Sequence, residues 1–74
     1  MKVTYDLEAD VLCLVLRDEP PLDAVEEPNG VVVSYGEDGE PVSVEFLNAA
    51  ARNLTTADEL SVTVQTSSPR SKTP

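Results

Sequence analysis

Two apolar segments joined by an acidic turn constrain the fold of this chain more than any other feature. Residues 31–47 read VVVSYGEDGEPVSVEFL, with Asp38-Gly39 at the centre. Aspartate followed by glycine suits a short hairpin loop, because such loops need residues that tolerate positive φ. The two segments therefore predict a β-hairpin. Its cross-strand pairs on the core face are expected to come from Val31, Val33, Tyr35, Val42, Val44 and Phe46.

Three further segments have strand character. Residues 1–5 alternate between polar and apolar, residues 11–17 are the most apolar stretch, and residues 60–65 alternate again. Between them, residues 18–28 carry five acids and three prolines. Prolines remove backbone donors, so this stretch is expected to be a solvated loop, with at most an irregular edge strand around Leu22–Val25.

The remaining local signals are helical but short. Asn48 can cap a brief helical turn, and Thr56 with Glu59 has the spacing of a capping box. These elements predict a mainly β (α+β) protein: a small antiparallel β-meander of four to five strands with one short helical turn near the C-terminus. We expect one domain over residues 1–65, followed by a disordered polar tail over residues 66–74.

The second strand is apolar on both faces, whereas a single small sheet has one core face. A chain of 74 residues with one cysteine and no histidine lacks the usual disulfide or zinc site that stabilises small domains. Self-association is the stabilising device that is left, so we expect a homodimer. The expected interface residues on the second face are Cys13, Val15, Val32 and Leu47.

The charge balance narrows the classes of partner. The net charge is −9, which disfavours nucleic acid and anionic membranes, because both are polyanions. A basic protein is the partner that such a surface suits. No signal peptide or membrane-spanning run is recognisable, and the single cysteine is typical of a reducing compartment, so a cytoplasmic location is expected.

Acidic clusters raise the alternative of a protein that binds divalent cations. Asp6, Glu8 and Asp10 alternate, and the turn at residues 37–40 holds three more acids. Carboxylates are the oxygen ligands of hard cations, but the spacing of an EF-hand loop is absent. We therefore expect turn and solvent roles for these acids and assign no metal or cofactor, while keeping cation binding as the second functional hypothesis.

Catalysis has little support. Cys13 is flanked by leucines and has no histidine to activate it, which favours a buried structural role. Glu45 alternates away from the core, where a cross-strand or interface contact is expected. Ser34, Ser43 and Ser61 lack a histidine partner. The chain is therefore expected not to be an enzyme.

The order of these features resembles the small bacterial proteins grouped as domain of unknown function 2283. The markers are Tyr5-Asp6, Glu8-Ala9-Asp10, Asn29–Tyr35, Asp38-Gly39 and Val44–Ala49. The resemblance covers roughly residues 1–52. It implies a small antiparallel β protein with a short helical element near its end, and it implies no catalytic residues.

The resemblance also suggests a partner role of the antitoxin type, because some relatives are encoded beside toxin-like small proteins. The second strand of the family often carries an aromatic and a charged residue where this chain has Cys13 and Val15. That departure adds apolar surface to the second face. The sequence therefore predicts a non-catalytic protein–protein interaction module that self-associates through its sheet.

Overall fold

The computed structural model describes residues 1–56 and 59–67, and its regular structure is a single antiparallel sheet. Short segments rich in valine form the strands, because branched side chains pack well on a pleated surface. The strands are β1 (Lys2–Asp6), β2 (Val11–Val15), β3 (Asp23–Glu26), β4 (Val31–Tyr35) and β5 (Pro41–Leu47). Their order in the sheet is β1-β2-β5-β4-β3.

The strand order corrects the predicted simple meander. Strands β3, β4 and β5 follow one another as hairpins, but β5 then pairs with β2. The connection from β2 to β3, residues 16–22, therefore crosses the ends of β5 and β4. It is joined to these strands by backbone hydrogen bonds: the Leu16 amide donates to the Val42 carbonyl at 2.8 Å, and the Leu22 amide donates to the Tyr35 carbonyl at 2.8 Å.

Five strands are present, within the predicted four to five, but their positions differ from the prediction in two places. The irregular edge strand expected around Leu22–Val25 is a regular strand, β3, and all four of its residues are exposed. Residues 60–65 are not a strand, and the side chains of Val62 and Val64 are 57% and 85% exposed rather than turned inward. Alternation gives a segment strand propensity, but a strand also needs a partner to complete its hydrogen bonds. Residues 68–74 of the expected tail lie outside the described residues.

The expected short helical turn is not a helix in the described part of the chain. Residues 48–54 form consecutive hydrogen-bonded turns instead. Asn48 has φ 56° and Asn53 has φ 63°, so both residues are left-handed and cannot belong to a right-handed helix. Only four residues separate them, which is too few to form a stable helix.

Two glycines occupy turn positions that other residues would strain. Gly39 has φ +82° in the β4–β5 hairpin, as the Asp-Gly signal predicted. Gly30 has φ +83° in the β3–β4 turn, and a Cβ atom there would lie 2.8 Å from a guanidinium nitrogen of Arg52. The Arg52 guanidinium donates to the carbonyls of Asn29 and Leu47, so the missing side chain makes room for this link.

The register places the larger apolar residues on one side of the sheet, here called the inner face. Leu14 lies between Val3 and Val44, and Val44 also lies opposite Val33. The inner face is formed by Val3, Tyr5, Leu12, Leu14, Val25, Val31, Val33, Val44 and Phe46. The expected pairs Val31–Phe46 and Val33–Val44 are confirmed.

One expected pair on the hairpin is wrong. Tyr35 lies opposite Pro41 rather than Val42, because the register shifts between Ser34 and Tyr35. A bulge of this kind leaves one residue without a cross-strand partner. Val42 is that residue, and it is buried against the crossing connection, at 2% exposure.

The buried core is small. Within the described residues, the buried apolar side chains are Leu12, Val42 and Ala49. Val44 and Leu14 lie at the middle of the sheet with strands on both sides, yet they are only half-buried. The described residues therefore form no second layer over most of the inner face.

Candidate functional site

The residues predicted to form an interface lie on the opposite side of the sheet, here called the outer face. Val11 lies opposite Leu47, and Cys13 lies opposite Glu45, which in turn faces Val32. Alternation puts Val15 on the same side, so the structure brings Cys13, Val15, Val32 and Leu47 onto one face. All four are half-buried. Glu45 also lies on this face, as predicted, and it separates Cys13 from Val32.

The outer face contains a shallow depression of about 310 Å³. Strands β2, β4 and β5 form its floor, and the crossing connection forms one wall. It is lined by Cys13, Val15, Arg17, Glu19, Pro21, Ser34, Val42, Ser43 and Glu45. The lining mixes apolar, acidic and basic groups, unlike the mainly apolar pockets that enclose small molecules.

Arg17 connects the crossing connection to the β4–β5 turn. Its two terminal nitrogens donate to the carboxylate of Asp38 at 3.1 and 2.7 Å, and one of them lies 3.6 Å from Glu19. The hydrogen bond from Arg17, followed by that from the Glu40 amide, lowers the pKa of Asp38. This pair is not predictable from local sequence, because the residues are 21 positions apart and only the topology brings them together.

Cys13 has the environment of an unreactive thiol. Burial, followed by the nearby charge of Glu45, raises the pKa of Cys13. A thiol needs to be deprotonated to act as a nucleophile or a soft metal ligand. The raised pKa does not favour a nucleophilic role for Cys13, which is half-buried rather than buried as expected.

The acids singled out as cation ligands are used in turns. The Asp6 carboxylate accepts a hydrogen bond from the Ala9 amide at 3.0 Å, and Asp10 accepts one from the Tyr5 hydroxyl at 2.5 Å. In residues 1–56 and 59–67, no three His, Cys, Asp or Glu side chains are placed so as to hold a metal ion. Glu8 and the acids of the 37–40 turn are exposed.

The candidate serines are not placed beside an activating base. Ser34 is buried at 8% exposure and lies opposite Ser43 across the β4–β5 pair. The Ser61 hydroxyl lies 3.4 Å from a Glu59 carboxylate oxygen, at an exposed position. A serine nucleophile needs a general base that is itself oriented by a third group, and this arrangement lacks one.

Asp10 links two distant segments of the chain, although the sequence predicted only a turn or solvent role for it. It has φ 58°, and its carboxylate accepts a hydrogen bond from the Tyr5 hydroxyl. The same carboxylate accepts hydrogen bonds from the Ala50 amide at 3.1 and 3.2 Å. The backbone carbonyl of Asp10 accepts one from the Ala49 amide at 3.1 Å. Asp10 thus holds the segment after β5 against the β1–β2 turn, where the Thr55 hydroxyl lies 3.5 Å from the Tyr5 hydroxyl.

No described helix has the length and apolarity needed to cross a membrane. Comparison with family models gives a match over residues 2–49 to the family described as "Protein of unknown function (DUF2283)". The chain belongs to this family. The match confirms the resemblance and covers all five strands and the start of the segment held by Asp10. No curated protein and no solved structure matches this DUF2283 chain significantly.

Proposed function

We propose that this DUF2283 protein is a non-catalytic protein–protein interaction module that self-associates through its sheet. The observation that carries the proposal is the small core: in the described residues, only Leu12, Val42 and Ala49 are buried apolar side chains. Stable domains are built from at least two packed layers, because a sheet with an apolar face needs a covering layer. A second copy of the chain can supply that layer.

The polar surface supports an interaction role rather than catalysis. Burial and the charge of Glu45 raise the pKa of the Cys13 thiol, and the depression on the outer face is open and mixed in character. A basic protein partner, including one of the toxin type, would meet the acids of the crossing connection and the β4–β5 turn. These include Asp18, Glu19, Glu37 and Glu40, all of which are exposed.

The experiment is a measurement of mass against concentration. Sedimentation equilibrium or light scattering between about 1 and 500 μM should show a growing fraction of dimer. The melting temperature should rise with protein concentration, because association stabilises the folded state by mass action. A mass that stays at the 7.9 kDa of one chain, with a melting temperature independent of concentration, would refute the proposal.

Salt distinguishes the two kinds of contact. Association through an apolar face should hold or strengthen as sodium chloride is raised from 50 to 500 mM, because screening weakens the repulsion between two acidic chains. Binding of a basic partner to the acidic loops should weaken over the same range, because screening reduces the attraction. Self-association that disappears at 500 mM salt would contradict the apolar mode.

A further inference from the structure

We infer that the self-association uses the inner face, so that two copies pack face to face as a two-layer β-sandwich and the outer face stays free. This inference rests on the proposed function and names the surface and the occupant. It differs from the expectation drawn from the sequence, which placed the contact at Cys13, Val15, Val32 and Leu47 on the outer face.

Charge is the first argument for a second copy on the inner face. Two chains of net charge −9 repel each other, so they can pack closely only where charges are absent. Within the strands, the inner face carries one charged residue, Asp23, at the edge beside Tyr35. The outer face carries Lys2, Asp6, Glu26 and Glu45 in the same strands. An acidic protein would bury unpaired carboxylates if it dimerised there.

The same distribution argues against a basic partner on the inner face. A basic protein is recognised by acids set in the contact surface, and at the centre of this face Val33, Val44 and Leu14 lie side by side. An uncharged, apolar surface is complementary to itself across a two-fold axis. The occupant with matching chemistry is therefore another inner face.

The size of the inner face is the third argument. Five strands at a spacing of about 4.8 Å, each presenting about 17 Å of length, make a face of about 400 Å². Two such faces together remove on the order of 800 Å² from water, which is below the roughly 1,200 Å² at which stable interfaces begin and is in the range of weak, transient contacts. A contact of this size predicts a weak, reversible dimer.

In the part of the chain that the structure describes, coverage of the inner face is confined to one end. Leu12 is buried and Tyr5 is contacted by Thr55 at the end where Asp10 holds the segment after β5. The row Val3, Leu14, Val44 and Val33 is half-buried. At the edge of the sheet, Val25 is 43% exposed. A second copy would cover this open part.

The alkylation rate of Cys13 can show which face of the sheet is covered in the dimer. Cys13 is the only cysteine and lies on the outer face. The rate of its alkylation by iodoacetamide, read by intact mass, should be the same within about twofold at concentrations where the protein is monomeric and where it is dimeric. A decrease of about fivefold or more on dimerisation would show that the outer face is the interface. In that outcome the inference fails, whereas the proposed function stands.

A matched pair of valine variants gives a second test of which face forms the interface. Val32 and Val33 are neighbours in β4, are both half-buried, and lie on opposite faces. Val33→Glu should raise the dissociation constant by about a hundredfold or more, because it places two carboxylates in the apolar contact. Val32→Glu should change it by less than about fivefold. The reverse ranking would overturn the inference.

A third variant tests the inner face without the risk that a buried charge unfolds the chain, as it could in Val33→Glu. In the double variant Cys13→Ser, Val33→Cys, the thiol lies on the inner face, and valine to cysteine is a mild change of shape. Its alkylation should slow by about fivefold or more as the dimer forms. Equal rates in monomer and dimer would contradict the inner-face assignment. If the wild-type protein remains monomeric at 500 μM, both the inner-face assignment and the proposed function are wrong.

Discussion

Replacement of Asp10 by alanine should lower the stability of the fold by about 2 kcal/mol. About half of this loss comes from the backbone, because Asp10 has φ 58° and alanine tolerates the left-handed region less well than aspartate does. The other half comes from the carboxylate, which accepts hydrogen bonds from the Tyr5 hydroxyl and the Ala50 amide. We take the low end of the usual range for such bonds because these groups are partly exposed.

Thermal unfolding followed by far-UV circular dichroism measures this loss. In a domain of this size, 1 kcal/mol corresponds to about 4–8 °C in melting temperature, so Asp10→Ala should melt about 8–16 °C below the wild type. Asp10→Asn keeps the left-handed tolerance and one acceptor oxygen, and should lose less than half as much. All proteins should be compared at one concentration, because association itself shifts the melting temperature.

Asn53 supplies the matched control. It is also left-handed, with φ 63°, but it lacks the links that Asp10 makes between the β1–β2 turn and the segment after β5. Asn53→Ala should therefore show only the backbone part of the loss, about 1 kcal/mol. If Asp10→Ala melts within about 2 °C of the wild type, the linking role of Asp10 is refuted. An Asp10→Asn variant as unstable as Asp10→Ala would assign the effect to charge instead of conformation.

Two further predictions follow from the pKa shifts. The pKa of Asp38 is lowered by Arg17, so this pair stabilises the fold well above pH 3.8, the ordinary value, and the benefit is lost as pH falls through the lowered value. Urea unfolding should show Asp38→Asn less stable than the wild type at pH 7, with the difference closing toward pH 2. Separately, Glu45→Gln should speed the alkylation of Cys13 at pH 8, because the Glu45 charge contributes to raising the pKa of that thiol.

Each of these predictions has a control in the same region. Glu37→Gln removes an exposed acid beside Asp38 in the same turn and should leave the pH dependence of unfolding close to that of the wild type. Glu26→Gln removes a charge from the edge of the outer face and should leave the alkylation rate unchanged. The explanation of the Asp38 effect is wrong if Asp38→Asn differs from the wild type equally at pH 7 and pH 2. The explanation of the Cys13 effect is wrong if Glu45→Gln and Glu26→Gln change its alkylation rate by the same amount.

Local sequence signals predicted the strands well where the required chemistry is local. The Asp38-Gly39 turn, the alternation of β1 and the apolar run of β2 each depend on residues within a few positions of one another. The assignment of Glu45 to the outer face also depended only on alternation. Such features need no knowledge of which segments meet in space.

Local reasoning failed at residues 60–65 and at the helical turn. The first segment has strand propensity, but the described structure gives it no neighbouring strand. In the second, Asn48 and Asn53 adopt left-handed conformations that the hydrogen bonds to Asp10 and Arg52 help to hold. Both outcomes depend on contacts from distant parts of the chain, which propensity does not contain.

The sequence by itself therefore indicated an antiparallel β fold, because an Asp-Gly turn between two valine-rich segments favours a hairpin on local grounds. Tertiary structure decided three further features: the pairing of β5 with β2, the link from Arg17 to Asp38, and the hydrogen bonds from Asp10 to the segment after β5. Each of them joins residues that are far apart in sequence. Two faces of similar apolarity in the sequence differ in the structure, because four charged residues of β1, β3 and β5 lie on the outer face, whereas within the strands the inner face carries only Asp23.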